Sequence, residues 1–291
     1  DTVIVCSVGF FGERIVDMAS RIGANVVPLQ ADWGAPFPAE LLEAELKSHP
    51  NVKMVAAVHA ETSTGIKQPL EDLSRLSKEH DTLFMVDAVT SLGGNEVAVD
   101  RLGIDYCYSA TQKCLACPPG LSPVALSPRG LDVVVNRRRK PTSWYLDLAL
   151  LANYWTSERR YHHTAPVSMI LALREGLRIT LEEGLEARFA RHHRNARALW
   201  AGLEALGLDI VAPEQYRLDQ ITPVWIPDGI DDMAIRRTLL REHSIEIGGG
   251  LGEFAGKVWR IGLMGESSKA ENVLALLAAL ESILPGVGYE V

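Results

Sequence analysis

Only four cysteines occur in 291 residues, Cys6, Cys107, Cys114 and Cys117, and each lies in or beside an apolar segment. That is too few for a disulfide framework. Cys114 and Cys117 form a CxxC pair, but no second thiol pair or histidine pair completes a zinc site, so buried reduced thiols are expected rather than a metal or redox centre. Excess positive charge is also missing: 29 Lys and Arg against 37 Asp and Glu leave a formal net charge of -8. Nucleic acid and anionic membranes both reward basic surfaces, so neither is expected as a partner. No long apolar run is free of charges and breakers, and the amino terminus lacks the basic, apolar, small-residue order of a signal peptide. The expectation is a protein without a membrane span, cytoplasmic by default, with a peroxisomal or other organellar location compatible. No GxGxxG follows a strand, and GGGLG at 248–252 lacks the strand-turn-helix setting of a dinucleotide loop. It reads instead as a mobile or tightly turned connection near the substrate mouth. Repeats, low-complexity tracts and flexible linkers are absent.

What is present is an ordinary globular composition, 47% hydrophobic and 23% charged, in a chain long enough to bury roughly three quarters of its unfolded surface. Apolar runs alternate with helix-period segments: VIVCSV at 3–8, NVVPL at 25–29, KMVAAVHA at 53–60 and LFMVDAV at 83–89 are separated by FGERIVDMASRIG, PAELLEAELKSHP and QPLEDLSRLSKEH. Short apolar strands joined by amphipathic helices read as crossover units of a mainly parallel sheet covered on both faces. After about residue 130 the rhythm changes to helices, one of them long, and then to a smaller αβ unit with strands at 221–227, 245–247 and 257–265 and a final helix through ENVLALLAALESIL. The expected division is a large α/β domain over residues 1–165 and a connecting helix with a small C-terminal α/β domain over 166–291.

Ligands of open parallel sheets sit beyond the carboxyl ends of the strands, and His59, Glu61, Thr62, Asp87 and Lys113 all fall at or just after those ends. A carboxylate inside FMVDAV is costly on a buried strand unless a cation meets it. Two readings of Asp87 are open: it faces the protonated ring nitrogen of a cofactor, or it caps the following turn. Lys113 is ambiguous alone, since most lysines are solvated. However, its neighbours in SATQKCLACPPG offer little polar surface, and a desolvated amine has a lowered pKa and serves as nucleophile or base. An amine and a carboxylate at neighbouring strand ends suit pyridoxal phosphate, held as a Schiff base with its ring nitrogen kept protonated.

HAETSTG at 59–65, VDAVTSLGG at 86–94, SATQKCLACPPG at 109–120, YLDL at 145–148, YHHTAPV at 161–167 and GGLGEFAGKVWRIGLMG at 249–265 resemble, in order, the signatures of the alanine-glyoxylate and serine-pyruvate aminotransferases. These are class V enzymes of the fold type I pyridoxal-phosphate group. The resemblance implies transamination of a small amino acid, alanine or serine, with glyoxylate or pyruvate as acceptor and ping-pong kinetics. It makes Lys113 the cofactor-linked lysine and Asp87 the partner of the ring nitrogen. Val89 packs on one ring face and Phe11 stacks on the other. Thr62 then bonds near the ring substituents, Gln112 contacts the phosphate, and Arg260 clamps the substrate carboxylate as a planar bidentate donor. Tyr161 and Thr164 match residues that reach the phosphate of a neighbouring subunit, which implies a homodimer with shared active sites.

Relatives of that family begin with a further segment whose small-residue loop opens a helix and cradles the phosphate. This chain opens on VIVCSV, so the expectation is a large domain without that part and weak cofactor binding by these residues alone. Other readings are a 2-aminoethylphosphonate aminotransferase, suggested by Lys113-Cys114 before PPG, a cysteine desulfurase, and a noncatalytic relative. A desulfurase is opposed by Gln112 before the lysine and by the lack of any cysteine after Cys117. Loss of catalysis is opposed by Lys113, Asp87 and Arg260 occurring together. His162, His163, His192 and His193 are expected to be structural, with RFARHHRNAR around the last two read as a solvated basic face.

Overall fold

The computed structural model describes residues 1–289. Its first half alternates as the apolar runs predict: β1 (Thr2–Ser7), α1 (Phe10–Arg21), β2 (Asn25–Gln30), α2 (Ala39–Ser48) and β3 (Val52–Val58) come first. A short hairpin of β4 (Ala60–Glu61) and β5 (Ile66–Lys67) follows, then α3 (Glu71–Glu79), β6 (Leu83–Asp87), β7 (Tyr106–Tyr108) and β8 (Val124–Leu126). The sheet order is β2-β1-β3-β6-β7-β8, parallel throughout except for β8, which runs antiparallel to β7. Side chains alternate across a strand, and the two faces are covered by different helices. Ile4, Cys6, Val55, Ala57, Phe84 and Val86 pack with Leu42 and Leu46 of α2 and with Leu73 and Leu76 of α3. Val5, Ala56 and Val58 pack on the other face with Ile15 of α1, joined by Met85 and Phe11. Burial on both faces is why these strands read as unbroken apolar runs.

The chain continues through α4 (Pro128–Val135), α5 (Leu148–Trp155), α6 (Val167–Glu183) and α7 (Leu185–Ala205) to β9 (Ile221–Trp225), α8 (Asp232–His243), β10 (Gly248–Gly249), β11 (Val258–Gly262) and α9 (Ala270–Ile283). The last three strands form an antiparallel sheet in the order β10-β11-β9. A second core gathers Leu199 and Leu203 of α7, Ile235 and Leu239 of α8, Trp259 and Ile261 of β11, and Leu276 and Leu280 of α9. The stretch Ala270–Val287 is long and apolar enough to cross a membrane, with a mean hydropathy of 1.4. Its Val273, Leu276, Ala279 and Leu280 are nonetheless packed into this second core, as in a core helix of a globular protein.

One expectation fails here and another holds only in part. No strand forms at 245–247: Ser244 ends α8 in the left-handed region at φ 55°, and the Ile245 amide turns back to Leu239 O at 3.0 Å. Ile247 is apolar because it enters the second core on leaving the helix, and pairing begins only at Gly248, opposite Arg260. The basic stretch on α7 is solvated on one side only: His193, Arg194 and Arg197 are exposed, as expected, whereas Arg188 and His192 are buried. The Gly-rich run at 248–252 is tightly turned, Gly252 having φ +52° and lying against Trp33.

Where α6 meets α7, Glu183 accepts hydrogen bonds from Arg191, at 2.5 and 2.9 Å, and from Arg188 at 2.6 Å. The Arg191 bonds, and less strongly Arg188, hold the Glu183 carboxyl down to about 2 from an ordinary value of 4.5, against the opposing effect of burial. A carboxyl depressed on folding contributes stability fully present above its unfolded pKa and lost as pH falls through the folded one. Urea unfolding is therefore expected to show about 2–3 kcal/mol of stability disappearing between roughly pH 5 and pH 2, with Glu183→Gln removing this acid limb.

Candidate active site

β6 ends at Asp87, which stands directly across the parallel register from Tyr108, the last residue of β7. Alternation along β6 gives Asp87 the same side of the sheet as Met85, the side covered by α1. Its side chain is 7% exposed. Val89 N–H donates to Oδ1 at 2.8 Å and Tyr108 O–H donates to Oδ2 at 2.7 Å. Burial pushes the carboxyl pKa up, while the Tyr108 and Val89 hydrogen bonds and the charges of Arg14 and Lys113 pull it back. Asp87 does turn the chain onto Val89, as the capping reading of the sequence has it. It also makes no salt bridge among the described residues, so a buried anion faces α1 with only neutral donors attached.

Lys113 lies in the loop between β7 and β8, on a turn five residues beyond Tyr108 rather than at the strand end itself. The loop is tied down locally: Ser109 Oγ donates to Ala88 O at 3.0 Å, Thr111 Oγ1 to Pro118 O at 2.7 Å and the Cys114 thiol to Thr90 O at 3.4 Å. Ala116 N–H closes a turn on Lys113 O at 2.9 Å. The Lys113 amine is half-buried, and burial together with the nearby Arg260 charge lowers its pKa, opposed by the Cys114 and Asp87 charges. Ser109 and Cys114 tie the Lys113 loop to the residues that follow Asp87, and Gly265, after the Arg260 strand, lies against Cys114 and Ala116, so the three groups share one neighbourhood.

Across this neighbourhood lies Glu61, which is 0% exposed. It accepts from the amides of Phe11 and Gly12 at 3.2 Å each, from Ser63 N at 3.0 Å and from Ser63 Oγ at 2.6 Å. Free amides and the positive dipole end of α1 favour an anion there. Gly12 is glycine because a Cβ would collide with Ser7 on β1. Arg260, on β11, donates its Nε–H to Gly249 O at 2.7 Å. Its pKa is lowered by burial and partly restored by the negative charge of Glu61. Glu61→Ala strands the helix amides, so chemical denaturation should reveal a loss of about 2–4 kcal/mol; Glu61→Gln, which keeps an acceptor, should lose less.

The remaining candidates divide into two groups. Thr62 is buried, with Oγ1 2.6 Å from Thr90 Oγ1, and Val89 is bonded to Asp87. Phe11 lies in the first turn of α1 and carries the Arg14 guanidinium 4.7 Å from its ring centre. These join the neighbourhood of Asp87. Gln112, beside Lys113, is exposed. Tyr161 is 77% exposed, and its hydroxyl lies 3.2 Å from Thr164 Oγ1 in the segment between α5 and α6. His162 stacks on Trp144 at 4.1 Å. Sequence reasoning missed Tyr108 and gave Glu61 no role.

The class-V aminotransferase family model matches residues 1–260. The chain is 42% identical to the (S)-ureidoglycine–glyoxylate transaminase of Bacillus subtilis, covering 98% of this chain and 72% of that protein. It is 40% identical to the alanine–glyoxylate aminotransferase of Callithrix jacchus over 98% of this chain and 69% of that one. Among solved structures, an alanine–glyoxylate aminotransferase from Nostoc superposes with a TM-score of 0.95 at 50% identity, covering 98% of this chain and 75% of its own. The chain belongs to the class-V aminotransferases, on the fold type I architecture, and is an enzyme of amino-group transfer.

Proposed function

We propose that the chain uses pyridoxal 5'-phosphate to transfer the amino group of a small amino acid, alanine or serine, to glyoxylate or pyruvate. The observation that carries the reading is that the buried Asp87 carboxylate and the half-buried Lys113 amine, which have no ion-pair partner among the described residues, both lie beyond the carboxyl edge of the sheet on loops bonded to each other. A buried carboxylate held by two neutral donors and no cation is costly, and a protonated pyridine nitrogen is the cation that relieves it. The donor set fits the cofactor. Pyridoxal phosphate, when bound, supplies an electron sink that acidifies the α C–H of an attached amino acid.

In this reading Asp87 accepts the ring N–H, oriented by Val89 and Tyr108. Thr62, Val89, Phe11 and Gln112 are the further residues that would hold the cofactor: Val89 and Phe11 through apolar contact with the ring, Thr62 and Gln112 through hydrogen bonds. Arg260 binds the substrate carboxylate in a fork that lysine cannot reproduce, and its positive charge disfavours protonated Lys113. Lys113 Nζ would serve as the base that takes the proton from the substrate α-carbon and then as the acid that gives it up. Tyr161 and Thr164, exposed on this chain, serve the phosphate of a second copy. Exposed Trp144, Leu146, Trp155, Val167 and Leu171 on the same stretch support a homodimer. The proposed division is a cofactor-binding domain over 1–165 and a small domain over 166–291, the last two residues of which lie outside the described ones. A cytoplasmic location goes with this reading.

Glyoxylate is the acceptor of the Bacillus and Callithrix relatives by name, which supports it over pyruvate. Donor choice has a second reading, (S)-ureidoglycine, supported by the Bacillus relative at 42% identity. Purified chain with pyridoxal phosphate and glyoxylate, assayed in parallel with alanine, serine, (S)-ureidoglycine and 2-aminoethylphosphonate, tests both. Glycine formation from alanine or serine supports the first reading. Glycine from ureidoglycine alone moves the assignment to the second, and turnover only with the phosphonate refutes both.

A further inference from the structure

Arg188, on α7, has no part in the chemistry above, yet it is 1% exposed. Its Nε–H donates to Gly93 O at 3.0 Å, its Nη2 to Cys114 O at 2.7 Å, and its Nη1 to Glu183 at 2.6 Å and Glu266 at 3.3 Å. Cys114 is bonded directly to Lys113, and Gly93 closes the loop that leaves Asp87. One turn further along α7, Arg191 Nη1 donates to Gly265 O at 2.9 Å and to Ser268 O at 2.7 Å. His192 gives its Nδ1–H to Arg188 O at 2.8 Å, which leaves Nε2 free to accept the Gly265 amide at 2.9 Å. That neutral ring is the form burial favours. Gly265 follows the strand of Arg260, has φ +57°, and lies so close to the Lys113 turn that a Cβ there would stand 2.8 Å from Cys114 O.

We propose that Arg188 is a positioning residue of the active site: its guanidinium fixes the Lys113 loop to the loop after Asp87, and with Arg191 and His192 holds both against the turn that follows the Arg260 strand. The inference rests on the proposed roles of Lys113, Asp87 and Arg260. A fully buried charge is poor packing material, and an apolar side chain of similar volume commonly serves stability as well or better. Here the guanidinium satisfies carbonyls from two loops that no sheet or helix pairs. Only a planar fork reaches two carbonyls in fixed directions at once; an ammonium on a flexible stem does not. Loops carrying reacting groups need that restraint, since a misplacement of about 1 Å costs on the order of 10²-fold in rate.

The test uses the full chain as Arg188→Lys and Arg188→Met. Amide exchange is followed without cofactor, and pyridoxal phosphate titration and kcat against KM with it. The expected result is that Gly94, Asn95, Ala116 and Cys117 exchange at least about ten-fold faster while the amides of β1 and β3 do not change. Cofactor affinity then weakens about ten-fold and kcat falls about 10²-fold with KM little altered, Arg188→Lys recovering part of each. A lowered Tm with unchanged exchange in those loops, or wild-type cofactor affinity, makes Arg188 a packing residue only and overturns the proposal. A second measurement needs no variant. Under rising denaturant, wild-type Asn95, Cys117 and Ser268 amides should open as one unit; independent opening also overturns it. Lys113→Ala in the same titration keeps the two readings apart: if it binds pyridoxal phosphate like wild type, the site assignment fails, whereas the exchange result is read without cofactor.

Discussion

Lys113→Ala is expected to lower transamination kcat by about 10⁴-fold or more, since in the proposed mechanism it removes both the group that links the cofactor and the acid–base that moves the substrate proton. The loss is chemical rather than structural. Lys113 Nζ has no hydrogen bond or ion pair among the described residues, and its pKa is already lowered by burial. Truncation therefore relieves a desolvated amine and leaves the loop bonds of Ser109, Thr111 and Cys114 in place. Thermal unfolding should show a Tm equal to or slightly above wild type. Added small amines should restore part of the rate, with a dependence on their pKa; a variant that turns over like wild type removes Lys113 from the mechanism.

Asp87→Asn is expected to cost about 10²–10³-fold in kcat/KM, roughly 3–4 kcal/mol of transition-state stabilisation, because the charge proposed to face the ring nitrogen disappears while the shape stays. The amide also requires the Tyr108 hydroxyl to turn from donor to acceptor. Val89 N–H and Tyr108 O–H each donate to a different carboxylate oxygen, so Asn satisfies one and turns its NH2 toward the other. Tyr108→Phe separates the two effects: it keeps the charge, removes one neutral donor, and should cost about ten-fold, near the value of a single hydrogen bond to a charged group. Steady-state kinetics of the pair, with a pyridoxal phosphate titration for each, checks the order. Equal losses from Tyr108→Phe and Asp87→Asn would mean that Asp87 acts only as a turn-forming residue.

The parallel half of the fold was legible because β1, β3 and β6 are buried on both faces. Unbroken apolar runs ending in polar residues therefore marked both the strands and their functional edge. Asp87 and Lys113 are proposed from this pattern and from their motifs. The C-terminal part was harder to read. Ile245 and Ile247 are apolar because they leave α8 into a core, a context indistinguishable from a strand in three residues. Arg188 and His192 sit in a stretch whose composition matches a solvated helix. Only tertiary structure reveals that one side of α7 meets loop carbonyls from Gly93, Cys114 and Gly265. Tyr108 was missed for a similar reason: its hydroxyl matters through cross-strand register with Asp87, which pairing decides and local sequence does not.

The most direct test of the account is to load the chain with pyridoxal phosphate, reduce it with borohydride, digest it and locate the added mass by mass spectrometry. The account predicts the label on Lys113, with labelling strongly reduced in Asp87→Asn at the same cofactor concentration. Label on another lysine, or equal labelling of Lys113 with and without the Asp87 carboxylate, would contradict it.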